Sequence, residues 1–179
     1  MNWQNVIAFW FDELTPAQHF SKSDELDRVI TTRFDDTLSA AKLGELYMWR
    51  TEPLGRLAEI IVLDQFARNI YRDDKRAFES DPLALVLAQE AIAHRLDVAM
   101  SIPQKSFLYM PFMHSESPSI HKVAVTLFDQ PGLENTLNFE HKHKEIIDRF
   151  GRYPHRNSIL GRRSTDQEIA FLNGPNSSF

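Results

Sequence analysis

Three observations in the sequence predict an all-α protein. Apolar residues recur at helical spacing through most of the chain, proline and glycine fall where such runs begin and end, and no alternating strand pattern sits between hairpin turns. The 179 residues accommodate roughly eight to ten helices of ordinary length. They are predicted to form one helical domain over residues 1–174 with a loose tail at 175–179.

Each element has its own warrant. Trp3, Ile7, Trp10 and Leu14, with Val6 beside them, put a bulky apolar stripe on one face of a first helix. Ser23 or Asp24 offers an N-cap for a run carrying Leu26, Val29, Ile30 and Phe34. Asp35 and Asp36 then precede Leu38, Ala40, Ala41 and Leu43, a run that Gly44 is suited to end in the left-handed conformation. Pro53 opens the next helix, because a proline in the first turn has no helical hydrogen bond to lose. That helix is expected to run to Arg72 and to be central, since Ile60, Ile61, Val62 and Leu63 are apolar on every side of one turn.

Further on, Asp81-Pro82 reads as an N-cap and first residue leading to about Leu96. Pro103 starts a short helix through Phe107 that Pro111 is expected to end, leaving His114-Ser115-Glu116 in a connection. Pro118 begins a helix with Ile120, Val123, Ala124 and Leu127 on one face, and the following one runs from about Leu133 to Phe150 and stops at Gly151. Pro154 and Gly161 bracket about two turns, and Thr165 with Glu168 has the spacing of a capping box for a last helix.

Composition narrows the function classes. The absence of cysteine removes disulfides, thiol catalysis and thiolate metal sites, and suits a reducing compartment such as the cytoplasm. No apolar run approaches the ~20 residues that span a bilayer, and the first fourteen positions lack the basic start of a signal peptide. The net charge of −5 disfavours a nucleic-acid surface. Walker, dinucleotide-binding and EF-hand signatures are missing, Ser115 lacks the Gly-x-Ser-x-Gly elbow, and no cofactor is predicted. His141 and His143, two residues apart on a helix, point to different sides, so no metal site is predicted.

Three polar constellations remain. On the helix from Pro53, the stripe of Leu54, Leu57, Ala58 and Ile61 is continued by Asp64, Gln65, Arg68, Asn69 and Arg72, an apolar face that turns charged. The stretch from Arg149 to Thr165 holds Arg149, Arg152, His155, Arg156, Arg162 and Arg163 without one Asp or Glu. His155 and Arg156 would there face the positive end of a helix dipole, a cost that a carboxylate or a bound anion would offset. His114, Ser115 and Glu116 place a base, a hydroxyl and a carboxylate together beside apolar Tyr109 to Met113.

For each constellation a structural role competes: a helix-stabilising Asp64–Arg68 pair, an internal salt-bridge network, and turn-capping groups. In the functional reading the three meet in one pocket that binds a small anionic metabolite or a peptide carboxylate. Asp64, Arg68, Asn69, Arg72, Arg149, Arg152, Arg156, Asn157 and Arg162 would hold the ligand, with His114, Glu116 and His155 as acid–base candidates.

The strings Leu63-Asp64-Gln65-Phe66 with Arg68-Asn69, Phe107 through Glu116, and Arg149 through Asn157 with Gly161-Arg162 resemble the bacterial family catalogued as domain of unknown function 924, over about Trp49 to Leu172. The resemblance implies a tetratricopeptide-repeat-like right-handed superhelix of antiparallel helix pairs, and with it the alternative of a protein–protein interaction module whose polar motifs are structural. It brings no activity. The family pattern usually carries Gln where this chain has His121.

Overall fold

The computed structural model describes residues 2–175 and 177. Every regular element among them is helical, with no β-strand. The chain forms two compact units, Met1–Arg72 with Arg76–Pro111, and Asp73–Lys75 with Phe112–Phe179. The expected loose tail falls partly on residues 176, 178 and 179, which lie outside the described residues.

In the first unit α1 (Trp3–Ala8) runs directly into a π-helical turn, Phe9–Glu13. The inserted residue swings Phe9 inward beside Val6, Trp10 and Leu14, all buried, while Trp3 and Ile7 are half-exposed. Asp24–Lys42 is one helix, α2, and not two runs: Asp35 and Asp36 point to solvent and cap nothing, and the buried stripe continues from Phe34 to Thr37, Leu38 and Ala41. Ser23 caps it by accepting from the Leu26 N–H. Its end is a Schellman motif, in which the Glu45 N–H reaches the Ala40 carbonyl and the Gly44 N–H that of Ala41, with Gly44 at φ +74°.

The helix predicted from Pro53 is built of α3 (Pro53–Ile61), a π turn (Val62–Phe66) and α4 (Ala67–Ile70). Every residue from Leu57 to Ala67 is buried, as a central helix requires. α1 and α5 (Asp81–Ala93) pack against α3, and α2 packs against the π turn and α4. Phe9, Trp10, Phe34, Phe66 and Phe107 form the aromatic centre of this unit, with ring centroids of contacting pairs 4.6–5.9 Å apart. Close approach fixes Gly55: a Cβ there would lie 2.1 Å from the Trp49 carbonyl oxygen.

Two boundaries differ from expectation. α6 runs Ile102–Met113 with Pro111 inside it. Proline so near the end forfeits a single N–H bond, and the helix closes two residues later, so little is lost by continuing. α5 begins at Asp81 with Ser80 in the cap position, because both Asp81 oxygens are taken by Arg68.

The second unit holds α7 (Pro118–Phe128) packed on α8 (Glu134–Phe150), and α9 (Asp166–Leu172) against the Pro154–Arg156 segment. The buried positions of α7 are His121, Ala124 and Phe128, so the inner face is rotated from the one expected, and Val123 lies outside. Thr165 and Glu168 form the capping box. Between Pro154 and Gly161 stands one 3-10 turn, Pro154–Arg156, followed by turns, where two helical turns were expected. A single turn sums few peptide dipoles, so the dipole cost argued for His155 and Arg156 is small.

Candidate functional site

In the first unit the charged end of the central helix is organised by carboxylates. Asp64 is buried on the π turn, which the helical stripe alone did not reveal. Its backbone carbonyl accepts from Arg68 Nη1 at 2.6 Å and its Oδ1 lies 3.1 Å from the same nitrogen. Arg68 also grips Asp81 with two bonds of 2.9 Å. Gln65 donates to the Asp64 carboxylate and approaches Met110 Sδ. One turn on, Arg72 is bidentate on Asp27, donating through Nε to Oδ2 and through Nη2 to Oδ1 at 2.7 Å, and Asn69 adds a 2.8 Å bond to that carboxylate. Burial on its own would raise the Asp27 carboxyl pKa. The bonds from Arg72 and Asn69, with the charges of Arg72 and Lys22, outweigh it and hold the group below its ordinary value.

In the second unit Glu116 is the hub. Its Oε1 accepts the Tyr153 backbone N–H at 2.7 Å, and Arg162 donates to both oxygens at 2.6 and 2.9 Å. Burial pushes the Glu116 carboxyl up, yet Arg162, the Tyr153 amide and the charge of Arg156 bring it below the usual range. Glu116 is therefore an ionised anchor at neutral pH. Arg162 spans further, to the Tyr153 carbonyl at 3.1 Å and Asn157 Oδ1 at 2.9 Å, and Asn157 bonds Ser164. Arg152 is clamped on Glu168 at 2.7 and 2.9 Å. That bond first, with the Thr165 cap, holds the Glu168 carboxyl at a pKa of about 2. Arg149 is exposed, its guanidinium 4.7 Å from the Phe150 ring centroid.

The remaining polar groups of this unit gather around the buried ring of Tyr153. His155, His143 and His121 lie at centroid distances of 5.5, 5.7 and 6.2 Å, and the buried Arg156 guanidinium lies 4.7 Å over the ring. His121 bonds Glu140 Oε1 through Nδ1 at 2.7 Å and donates through Nε2 to the Ser115 carbonyl at 2.8 Å. The Tyr153 hydroxyl donates to the Met113 carbonyl. His143 donates to the Phe139 carbonyl one turn back on α8. Burial drives the His143 pKa down to about 3, assisted by the charges of His114, His121 and His155 and opposed by the Phe139 bond. His114, Ser115, Glu116 and His155 are half-buried, so the edge of this cluster reaches solvent.

The structure thus brings Asp64, Arg68, Asn69 and Arg72 together in the first unit, and Glu116, Asn157 and Arg162 together in the second, with His155 and Arg156 beside Tyr153. Residue spacing left out the partners Asp27, Asp81, Glu140 and Glu168, and it left out His143 except as a metal ligand set aside. His121 was flagged only by the family pattern. Among the described residues no group of three His, Asp or Glu is arranged to hold a metal ion, and no helix is long and apolar enough to cross a membrane.

Comparison with known proteins agrees with the motifs. No protein of curated function matches the chain. A solved structure of a protein of unknown function from Agrobacterium tumefaciens is 35% identical, with a TM-score of 0.91 over 96% of each chain. Residues 6–176 match the model of the family described as bacterial protein of unknown function, DUF924, and the chain belongs to that family.

Proposed function

We propose that the chain binds a small anionic ligand, a carboxylate or a phosphate, at the Tyr153-centred cluster of the second unit. The observation that carries this reading is the placing of three imidazoles and a buried guanidinium around one ring. Burial is the first cause of the depressed His143 pKa; the charges of His114, His121 and His155, which add to it, are the part that favours an anion. In this division of labour Arg156 and His155 meet the ligand, while Arg152 and Arg162, already bound to Glu168 and Glu116, fix the segment that presents them. His114 and His155 are the half-buried groups suited to proton exchange, should a bound molecule react.

Thermal-shift screening against phosphorylated and carboxylated compounds tests the proposal. Wild type and Lys142→Ala are expected to be stabilised by the same compounds, and Arg156→Ala by none. Absence of any stabilising anion for wild type overturns it.

One observation favours a second reading. Arg68, Arg72, Arg152 and Arg162 each face a carboxylate of their own unit, as struts would. The family resemblance then points to a tetratricopeptide-repeat-like superhelix serving protein–protein interaction. The open groove on α7 and α8, about 500 Å³ and lined by Lys122, Val125, His141, Lys144, Glu145 and Asp148, is the surface to challenge. A partner captured from extract by wild type and lost with Lys144→Glu supports this reading, and identical recovery by both removes it.

A further inference from the structure

We infer that the second unit is an acid-sensitive element of the fold, one that opens around Tyr153 at mildly acidic pH while the first unit stays closed. The device is the packing of buried histidines against a ring that is also part of the unit's core.

His143 on α8 and His121 on α7 are buried, and both stand beside the Tyr153 ring, His143 edge-on. His143 Nδ1 donates to the Phe139 carbonyl, so a proton taken up in acid goes to Nε2. Charging an imidazole away from water is costly, and the proton is accepted readily only once the ring is uncovered. Tyr153 is part of that cover. It packs with Ile146 and Ile147 as an apolar core of this unit, with Phe150 and Phe171 against them. Uncovering His143 therefore opens the core, and the response involves the whole unit instead of one side chain.

The surroundings sharpen the response. Charged and titratable groups gather about His143 and Tyr153 from each neighbouring element: His114 and Glu116 from the connection between α6 and α7, Glu140 behind His121, and His155 and Arg156 from the 3-10 turn. Glu140 is engaged by His121, and Glu116 by Arg162 and the Tyr153 amide, so both carboxylates answer groups present before any proton arrives. Glu168 of α9 is likewise held by Arg152. Protons taken up by the half-buried His114 and His155 as pH falls add positive charge near His143.

The first unit is built otherwise. Of the seven histidines only His19 and His94 belong to it. His94 is exposed, and His19 is half-buried in the loop between the first π turn and α2, where it reaches solvent by a movement of that loop and leaves α3 in place.

A histidine that titrates at about 6.5 when open and refuses the proton when closed raises the opening equilibrium about twentyfold between pH 7 and pH 5. Hydrogen exchange of the full chain, followed by mass spectrometry at both pH values and corrected for the intrinsic exchange rate, reads that equilibrium. Peptides from α7 and α8 are expected to lose at least about tenfold in protection at pH 5, and those from α3 and α4 less than about threefold. His143→Gln keeps a donor for the Phe139 carbonyl and is expected to hold its protection across the same range. His141→Gln, an exposed change on the same helix, is expected to behave as wild type.

Equal protection of α7 and α8 at the two pH values overturns the inference. So does a loss shared equally by both units, or a loss in folded His143→Gln as large as in wild type. Should His143→Gln fail to fold, the wild-type comparison between the two units decides.

Discussion

His143 offers a measurement of how dry the Tyr153 cluster is. The imidazole is 6% exposed and has a pKa near 3, mainly through burial, whereas in the unfolded chain it titrates at its ordinary 6.5. Below that ordinary value the unfolded state binds a proton that the native state refuses. The stabilisation by a depressed histidine is therefore present above pH 6.5 and lost as pH falls toward 3. Linkage over that interval gives roughly 2 kcal/mol of loss between about pH 7 and pH 5, and a ceiling of roughly 5 kcal/mol by pH 3.

The assay is urea unfolding of wild type and His143→Gln at both pH values. Glutamine keeps an N–H able to reach the Phe139 carbonyl and carries no titrating group. Whatever the substitution costs at pH 7 cancels in the double difference, as do contributions of groups remote from the cluster, such as the likewise depressed His19. Wild type is expected to lose about 2 kcal/mol more than the variant on going to pH 5. A double difference within about 0.5 kcal/mol of zero refutes the reasoning, because it places the His143 pKa close to its unfolded value. An NMR titration that finds the His143 ring protonating near pH 6 refutes it independently.

Two further outcomes follow from local geometry. Gly55→Ala ordinarily would favour a helix by up to about 1 kcal/mol, but here the new methyl overlaps the Trp49 carbonyl, so thermal unfolding is expected to show a net loss of at least about 2 kcal/mol. A variant as stable as wild type contradicts that contact. Glu168→Gln breaks the Arg152 clamp and weakens the capping box of α9, for a loss of about 2 kcal/mol at pH 7. The Glu168 carboxyl is depressed to about 2, so its contribution is present above the ordinary 4.5 and fades as pH falls toward 2. Unfolding curves of wild type and variant that stay equally far apart from pH 6 to pH 3 contradict it.

What could be read from the sequence was what depends on neighbours along the chain. The Gly44 terminus, the Thr165 capping box, the stop at Gly151 and the all-round burial of Ile60 to Leu63 need a few consecutive residues each, and each stands where local chemistry puts it. The π turns at Phe9–Glu13 and Val62–Phe66 were not legible, because one extra residue per turn barely alters an apolar stripe while it changes which side chain faces inward. Nor were the carboxylate partners. Asp27 meets Arg72 across 45 positions and Glu116 meets Arg162 across 46, distances over which spacing carries no information. His121 and Glu140 escaped for another reason. On an apolar face a buried acid–histidine pair has the same periodicity as the surface residues that histidine and glutamate usually are.

The arginines deserve a quantitative argument, since spacing suggested all of them as ligand contacts. For a free carboxylate to take Arg162 from Glu116, or Arg72 from Asp27, it must displace a carboxylate held on the same chain in bidentate geometry. The exchange trades like for like, so its intrinsic free energy is near zero and the outcome turns on concentration. A tethered competitor acts at an effective concentration of about millimolar even on a flexible linker, and far higher when oriented in a fold. A metabolite at millimolar level therefore seldom wins, and these arginines keep their internal partners. Arg156 differs in the surface it meets, an aromatic face that attracts a cation through its quadrupole. In a segment without one acidic residue between Arg149 and Thr165, the clamped arginines supply rigidity, and the one stacked on Tyr153 among imidazoles is the cation of the proposed anion site.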